Sequence, residues 1–458
     1  DALTSFPLPG VPLVPKPCPF HPAKGEACLG PHEVHGPYLV GDGFHTRRQP
    51  FAWPDDRLSL FAPLTLPHFT PGSIDPSVRV NQSGPCPVGV NETGWFVSEF
   101  GATSFSSYES HAPTLSHEQP DHRSLHAPPF VERSWPADSI IKSYFGVKQD
   151  LDATGEAALM KQLYQSMVST ALYLKQQIET MRSSNLWGAL LWQLNEIWPT
   201  GGWGSLEYGT PGAGQVVGGR WKPLHYWLAN LLFADVLISC GTVNGATSFA
   251  DFALVCFAKN DHGALGFDGT ATVEVVHHVQ GWRRPLSSRP SRPLSLHRGP
   301  NSIDWFCAAD ASAHGDDCPP LPDTLVSQGC AANGTDCTLL VSVATAAVEP
   351  GAARSLTVAR RNVLMLAPPR DLTLPPSTIK HSVHHPSNTT QKATIVLEAS
   401  APAFAVVATT QAAGRFSDNA FMLLPADGPR VIEFIPFGEL DLPKLESTLR
   451  VEHLQQNL

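Results

Sequence analysis

Glu99 closes the run WFVSE, and Gly101 follows two places later. The run is apolar apart from Ser98 and reads as a fully buried strand. A carboxylate at the end of such a strand is costly to bury without a purpose. A second run, LLWQLNEIWP, brings Trp192, Gln193, Asn195 and Trp198 close together. An indole binds the hydrophobic face of a sugar ring, amides hold its hydroxyl groups, and a carboxylate attacks the anomeric carbon. That is glycosidase equipment. Gln193 alternates with Trp192 and points the other way. Trp192, Asn195 and Trp198 are therefore the candidates for sugar contact, and Glu99 is the candidate nucleophile. Trp53 and Phe69 are candidates for an acceptor subsite. His32 and His35, in PHEVHGPY, lack the helical or tetrahedral context of a metal site and read as a hydrogen-bonding pair. His111, His117, His122 and His126 read as a solvated crossover, and His277 and His278 as structural.

These groups need a frame. After the Glu99 strand and a Pro- and His-rich crossover comes a helix over about 155–182. Met160, Leu163, Met167, Ala171, Leu174, Ile178 and Met181 make one apolar stripe along it, and Thr154 or Asp152 would cap its start. Residues 186–194 read as a second fully buried strand, and 221–233 as a further helix. Strands without polar alternation, joined by helices, are the pattern of a parallel sheet covered by helices. Two such units suit the end of a (β/α)8 barrel and are too few for a whole one. A carboxylate at the C-terminal end of a barrel strand stands where catalytic groups stand in that fold.

From about 235 the pattern changes to short alternating segments separated by Gly, Pro and Asn: FADFALVCFA, TATVEVVHHV, CTLLVSVAT, ATIVLEASA, FAVVATT and RVIEFIPF. That predicts antiparallel β-sandwiches. The expected organisation is the C-terminal part of a TIM barrel over 1–234, with a loop-rich 1–94. Two Ig-like β-sandwich domains follow, over 235–362 and 363–458.

The chain has 458 residues and a formal net charge of −10, with no basic block, so a nucleic-acid partner is not expected. The longest apolar run, 186–194, is too short to span a bilayer. The opening DALTSFPLPG has no Met, no basic start and no apolar core segment, and reads as a mature or cleaved product. Sequons at Asn81, Asn91, Asn333 and Asn388 point to passage through the secretory pathway. Nine cysteines fit an oxidising compartment. Cys330 and Cys337 flank a short loop and are the first candidate bridge. Cys18 with Cys28, and Cys307 with Cys318, are candidates by proximity alone, with buried thiols as the alternative. The odd count leaves one cysteine over.

Three long blocks carry a family resemblance: VSEFGATSF, WGALLWQLNEIWPTGGWGSLEY with GRWKPLHYWLANLLFADVLIS, and GRFSDNAFMLLPADGPRVIEFIPF. They resemble the β-mannosidase branch of glycoside hydrolase family 2, and the likeness runs from about residue 31 to the C-terminus. It implies a retaining exo-glycosidase that removes terminal β-linked mannose, with no cofactor. It places the nucleophile on Glu99 and a sugar-binding Trp on Trp192. It carries over His35, and it points to Tyr38 as a residue that holds the nucleophile. Tyr38 stands one place later than the family's Asp-Val-His-aromatic-Tyr pattern puts it. The family's acid/base Glu follows an Asn at the end of the fourth barrel strand. The Asn-Glu pairs here, Asn91-Glu92 and Asn195-Glu196, match neither position, and Glu196 reads as structural. The expected partner is therefore an N-terminal fragment of the same precursor, carrying the acid/base and a sugar-binding domain. A lysosomal or secreted location goes with the sequons. The rival readings are another family 2 exo-glycosidase (β-glucosaminidase, β-galactosidase or β-glucuronidase) and a non-catalytic carbohydrate-binding or structural glycoprotein with a degenerate barrel.

Overall fold

A computed structural model describes residues 32–39, 62–63, 95–115, 123–133, 137–183, 188–197, 201–208, 219–242, 253–289, 291–298, 302–310, 318–347, 356–385 and 392–458. Trp53, Phe69, His117, His122, Trp198, Asn81, Asn91, Asn388, Cys18 and Cys28 lie outside the described residues.

Three strands, β1 (His32–Leu39), β2 (Trp95–Ala102) and β3 (Gly188–Leu191), form a parallel sheet in the order β1-β2-β3. The parallel arrangement expected from the unalternated runs is therefore present. A closed barrel is not seen among the described residues. The expected strand over 186–194 is shorter than predicted and is not buried on both faces. Leu190, Trp192 and Leu194 are exposed. In the described sheet β3 is an edge strand, and Trp192 and Leu194 lie beyond its end. An apolar run cannot by itself distinguish this edge from an interior strand.

The crossover from β2 to β3 contains the long helix α1 (Glu156–Ser183). Its apolar stripe is buried apart from the half-buried Met160. The opposite face is buried too, which the amphipathic pattern did not predict. Several polar residues there are bonded individually, while Ser169 Oγ is buried with no partner among the described residues. Gln162 Oε1 accepts from Leu125 N (2.9 Å), Ser166 Oγ from Phe105 N (3.1 Å), and Gln165 Nε2 donates to Asn457 O (2.7 Å). Asp152 is held by His126 at 2.7 Å. The later helix is α2 (Pro223–Trp227), extended by a π turn over Leu228–Leu232. Pro223 suits its first turn, where no N–H is needed.

The first sandwich pairs Phe267–His277 with Cys337–Ala347, Ser291–Leu296 and Arg283–Pro285, and Cys337–Ala347 with Thr357–Met365. Its second sheet runs Ser302–Cys307, Leu254–Asn260, Val236–Thr242, with Ala62–Pro63 added in parallel. The last sandwich has one sheet of Ile379–His384, Ala393–Ala399, Arg430–Pro436 and Gly414–Phe416. Phe421–Leu423, Ala403–Thr409 and Arg450–Glu452 form the other. Each of the six alternating segments in the sequence supplies a strand. Three disulfides lie in the first sandwich: Cys330–Cys337, Cys307–Cys318 and Cys240–Cys256. The last was not foreseen. Cys240 and Cys256 are cross-strand partners on neighbouring strands, a pairing that sequence spacing does not reveal.

The core around α1 is shared with the last sandwich through Phe404, Ala405, Val407 and Leu454. Tyr164 donates from its hydroxyl to Ala405 O (2.7 Å). Asn362 of the first sandwich donates to Glu179 Oε1 on α1 (2.7 Å) and to Ile238 O (2.9 Å). The three units are thus joined by buried, directional bonds rather than by a mobile linker.

Candidate active site

Glu99 sits in β2, the middle strand of the parallel sheet, and is half-buried. Its register partner on β1 is His35. Two residues, Gly36 and Pro37, separate His35 from Tyr38, while only Phe100 separates Glu99 from Gly101. The ladder shifts register between His35 and Tyr38, and Tyr38 pairs with Gly101. The extra residue that displaces Tyr38 in sequence is thus absorbed by a bulge. Tyr38 therefore keeps a place two residues along from the carboxylate's register position.

On the other side, Trp192 N donates to Phe100 O (2.8 Å), immediately after Glu99. The chain at Trp192 comes so close to β2 that a Cβ at Gly101 would overlap the Trp192 carbonyl oxygen and lie 3.2 Å from the Trp203 ring. The glycine after Glu99 is required by this approach. The peptide between Trp192 and Gln193 is cis. Trp192 is 42% exposed, as a sugar platform must be. Asn195 is also exposed, with its amide donating to Glu196 O (3.0 Å).

Beyond the strand, the chain folds back on itself. Gln193 N donates to Trp203 O (3.0 Å), Ser205 N to Gln193 O (3.1 Å), Leu206 N to Leu194 O (2.8 Å) and Glu196 N to Leu206 O (3.1 Å). Glu196 pins this hairpin from within. Its carboxylate is buried, pairs with the buried Lys222 ammonium and accepts from Gly204 N (3.2 Å). Burial pushes the Glu196 carboxyl above its ordinary range, against the pull of Lys222. A Cβ at Gly202 would collide with Glu196 Oε2. Glu196 therefore has the buried, ion-paired environment of a structural carboxylate. Lys222 escaped the sequence reading because it lies 26 residues away, just before α2. Nearby, Glu207 is a second buried carboxylate. It accepts from Ser107 N (2.9 Å) and from Ser110 Oγ, and Arg220 lies 3.9 Å away. The WGSLEY and GRWKP segments thus anchor the hairpin that follows Trp192.

The cluster His277, Asp336 and Cys337 has metal-ligating residue types. Cys337 is spent in its disulfide, and the sulfur is no thiolate ligand. His278 is buried, bonded to Thr373 O (3.1 Å) and Thr338 Oγ1 (2.9 Å), as a structural histidine would be. Asn333 is exposed in the turn closed by Cys330–Cys337, and its Oδ1 accepts from Thr335.

Residues 374–457 match the Ig-fold domain family Ig_mannosidase. The chain is 32% identical over 154 residues to the β-mannosidase of Bos taurus, which covers 31% of this chain and 16% of that protein. It is 25% identical over 247 residues to β-mannosidase A of Aspergillus niger, covering 52% of this chain and 22% of that protein. The matched stretches thus span under a quarter of these relatives' own lengths. Among solved structures, the β-D-mannosidase of Dictyoglomus thermophilum superposes with a TM-score of 0.54. It covers 79% of this chain and 38% of that one at 20% identity, a likeness of fold. These matches bear out the resemblance carried by the three sequence blocks.

Proposed function

We propose, on the premise that this chain is similar to the C-terminal portion of the glycoside hydrolase family 2 β-mannosidases, that it carries the nucleophile half of a retaining exo-β-mannosidase. The observation that carries the reading is the convergence at one end of the parallel sheet. Glu99 has His35 as its register partner on one side, and Trp192 is hydrogen-bonded to the next residue on the other. The sheet is read as the last part of a (β/α)8 barrel, with Glu99 in the C-terminal half of its strand. Glu99 attacks the anomeric carbon and forms a glycosyl-enzyme. A second carboxyl group about 5–5.5 Å away protonates the leaving oxygen and then activates water. No Asn-Glu pair in this chain matches the position of that acid, so an N-terminal segment of the same precursor is proposed to supply it. Trp192 stacks on the sugar, and Asn195, Trp198, His35 and Tyr38 surround it. The substrate is a terminal non-reducing β-D-mannose on an oligosaccharide or N-glycan fragment. The three disulfides support an oxidising setting. Glycosylation at Asn81, Asn91, Asn333 and Asn388 and a lysosomal or secreted location complete the proposal.

A mechanism-based 2-fluoro-mannosyl reagent tests it. The covalent label is expected on the peptide that contains Glu99. Labelling of another residue removes the assignment. Reaction with only a gluco-configured or galacto-configured reagent keeps the mechanism and changes the sugar.

A further inference from the structure

A cleft of about 640 Å³ opens where α1, the two sandwiches and the α2 region meet, and none of its lining residues belongs to the parallel sheet. Its charged lining is Lys175, Arg360, Arg361 and Arg430 against Glu179 and Asp418. Most of these charges are already matched. Lys175 pairs with Glu179 (2.7 Å), Arg361 with Asp427 (2.9 Å), and Arg430 with Asp418. Arg360 is the exception. No carboxylate pairs with it among the described residues; its Nη1 donates only to Ala359 O (3.0 Å), and its Nε is buried with no hydrogen-bond partner.

Two residues along the same strand stands Asn362, fully buried. Both its amide hydrogens go to acceptors, Glu179 Oε1 and Ile238 O. That fixes the orientation of the amide and leaves Oδ1 as the remaining acceptor, and Oδ1 has no partner among the described residues. A buried acceptor left unmade is a cost to the fold that a bound donor would remove. Arg360 and Asn362 lie on one side of the strand, with Cα atoms about 7 Å apart. The span is that of one monosaccharide. The cleft wall also contains two non-glycine residues in the left-handed region, Ala405 (φ 44°) and Ala420 (φ 57°). Tyr164 and Trp227 hold their carbonyls. Such backbone is strained and concentrates at ligand clamps.

We propose that this cleft is a second binding site, separate from Glu99, for a small hydroxylated anion of the sugar-acid or sugar-phosphate class. The anionic group pairs with the Arg360 guanidinium, and a hydroxyl on the same ligand donates to Asn362 Oδ1. A neutral sugar satisfies Asn362 but leaves Arg360 unmatched. A simple anion does the reverse.

Titration calorimetry on the whole protein tests this with three probes: glucuronate, glucose 6-phosphate and glucose. At least one of the two acids is expected to bind, and glucose not. Binding of glucuronate alone identifies a carboxylate ligand, and of glucose 6-phosphate alone a phosphate. R360A and R360Q are expected to weaken binding about tenfold or more, the loss of a charge-assisted hydrogen bond. E99Q is expected to bind as the wild type does. The proposal is overturned if neither acid binds, if glucose binds as well as the acids, if folded R360A and R360Q both retain full affinity, or if E99Q loses the binding.

Discussion

Glu99 and Gly101 make separable demands on one strand, and substitutions divide them. Glu99→Gln keeps the shape and removes the proposed nucleophile. Turnover in the complete enzyme is expected to fall by about 10⁴-fold or more, with an unchanged circular dichroism spectrum. Near-normal turnover would remove Glu99 from the mechanism. Gly101→Ala acts differently. Its methyl group meets the Trp192 carbonyl oxygen, so β2 and the chain at Trp192 must move apart. A cost of about 1–3 kcal/mol is expected in denaturant unfolding, together with a lower kcat/KM as the indole shifts. At this scale the sequence showed where two of the candidate groups stand. Glu99 stood out because a carboxylate ended an apolar run, and Trp192 because an indole ended another. Lys222 and Glu207 did not, because each finds its partner only after the chain folds back. The register of Tyr38 was hidden for another reason. A bulge is a property of the pairing with β1's neighbour, and a one-residue offset in sequence does not reveal it.

The hairpin over 192–207 depends on the Glu196–Lys222 pair. Lys222→Met leaves the buried carboxylate without its cation, and a loss of about 3–5 kcal/mol is expected in denaturant unfolding. Adding Glu196→Gln is expected to recover much of that loss, because the burden is the unmatched charge. A double variant no better than the single would show that Lys222 acts by packing alone. The first sandwich depends instead on covalent links. Its three disulfides close loops with sequence separations of 16, 11 and 7, worth about 2–3 kcal/mol each in the chain-entropy account. Reduction is expected to lower the unfolding midpoint of this sandwich and to spare the last one, in which none of these bridges lies. Peptide-resolved hydrogen exchange with and without reductant reads this difference. Period-two alternation gave away the sandwich strands. The burial of the polar face of α1 was not legible, because Gln162, Gln165 and Ser166 look like solvent-facing residues until their partners on other elements are known.

Across the whole molecule, two buried titratable groups at the unit junctions pull stability in opposite directions with pH. Glu452 lies where the last sandwich meets the Glu99-bearing unit. Arg450 is shared between it (2.5 Å) and Glu109 (2.7 Å). Burial pushes Glu452 up to about 7, against the pull of Arg450 and with the help of Glu109. The folded state keeps a proton that the unfolded chain releases at an ordinary carboxylate pKa. Its contribution is therefore full below about 4.5, and it is lost as pH rises through about 7. His278, packed against Phe404 between the two sandwiches, is pushed down to about 4, chiefly by burial. It stays neutral in the fold, so its contribution is full above about 6.5 and is lost as pH falls through about 4. Each is of order 2–4 kcal/mol. Thermal unfolding of wild type, E452Q and H278Q from mildly alkaline to acidic pH separates them, since differences from wild type cancel the other titrating groups. The stability of wild type over E452Q is expected to grow on acidification, and that of wild type over H278Q to shrink. An E452Q difference that shrinks on acidification would show that Glu452 is ionised in the fold and that Arg450 outweighs its burial. A chain that keeps the Glu452 proton gains on acidification at one junction while it loses the His278 contribution at the other, so the two titrations oppose each other across the same pH range.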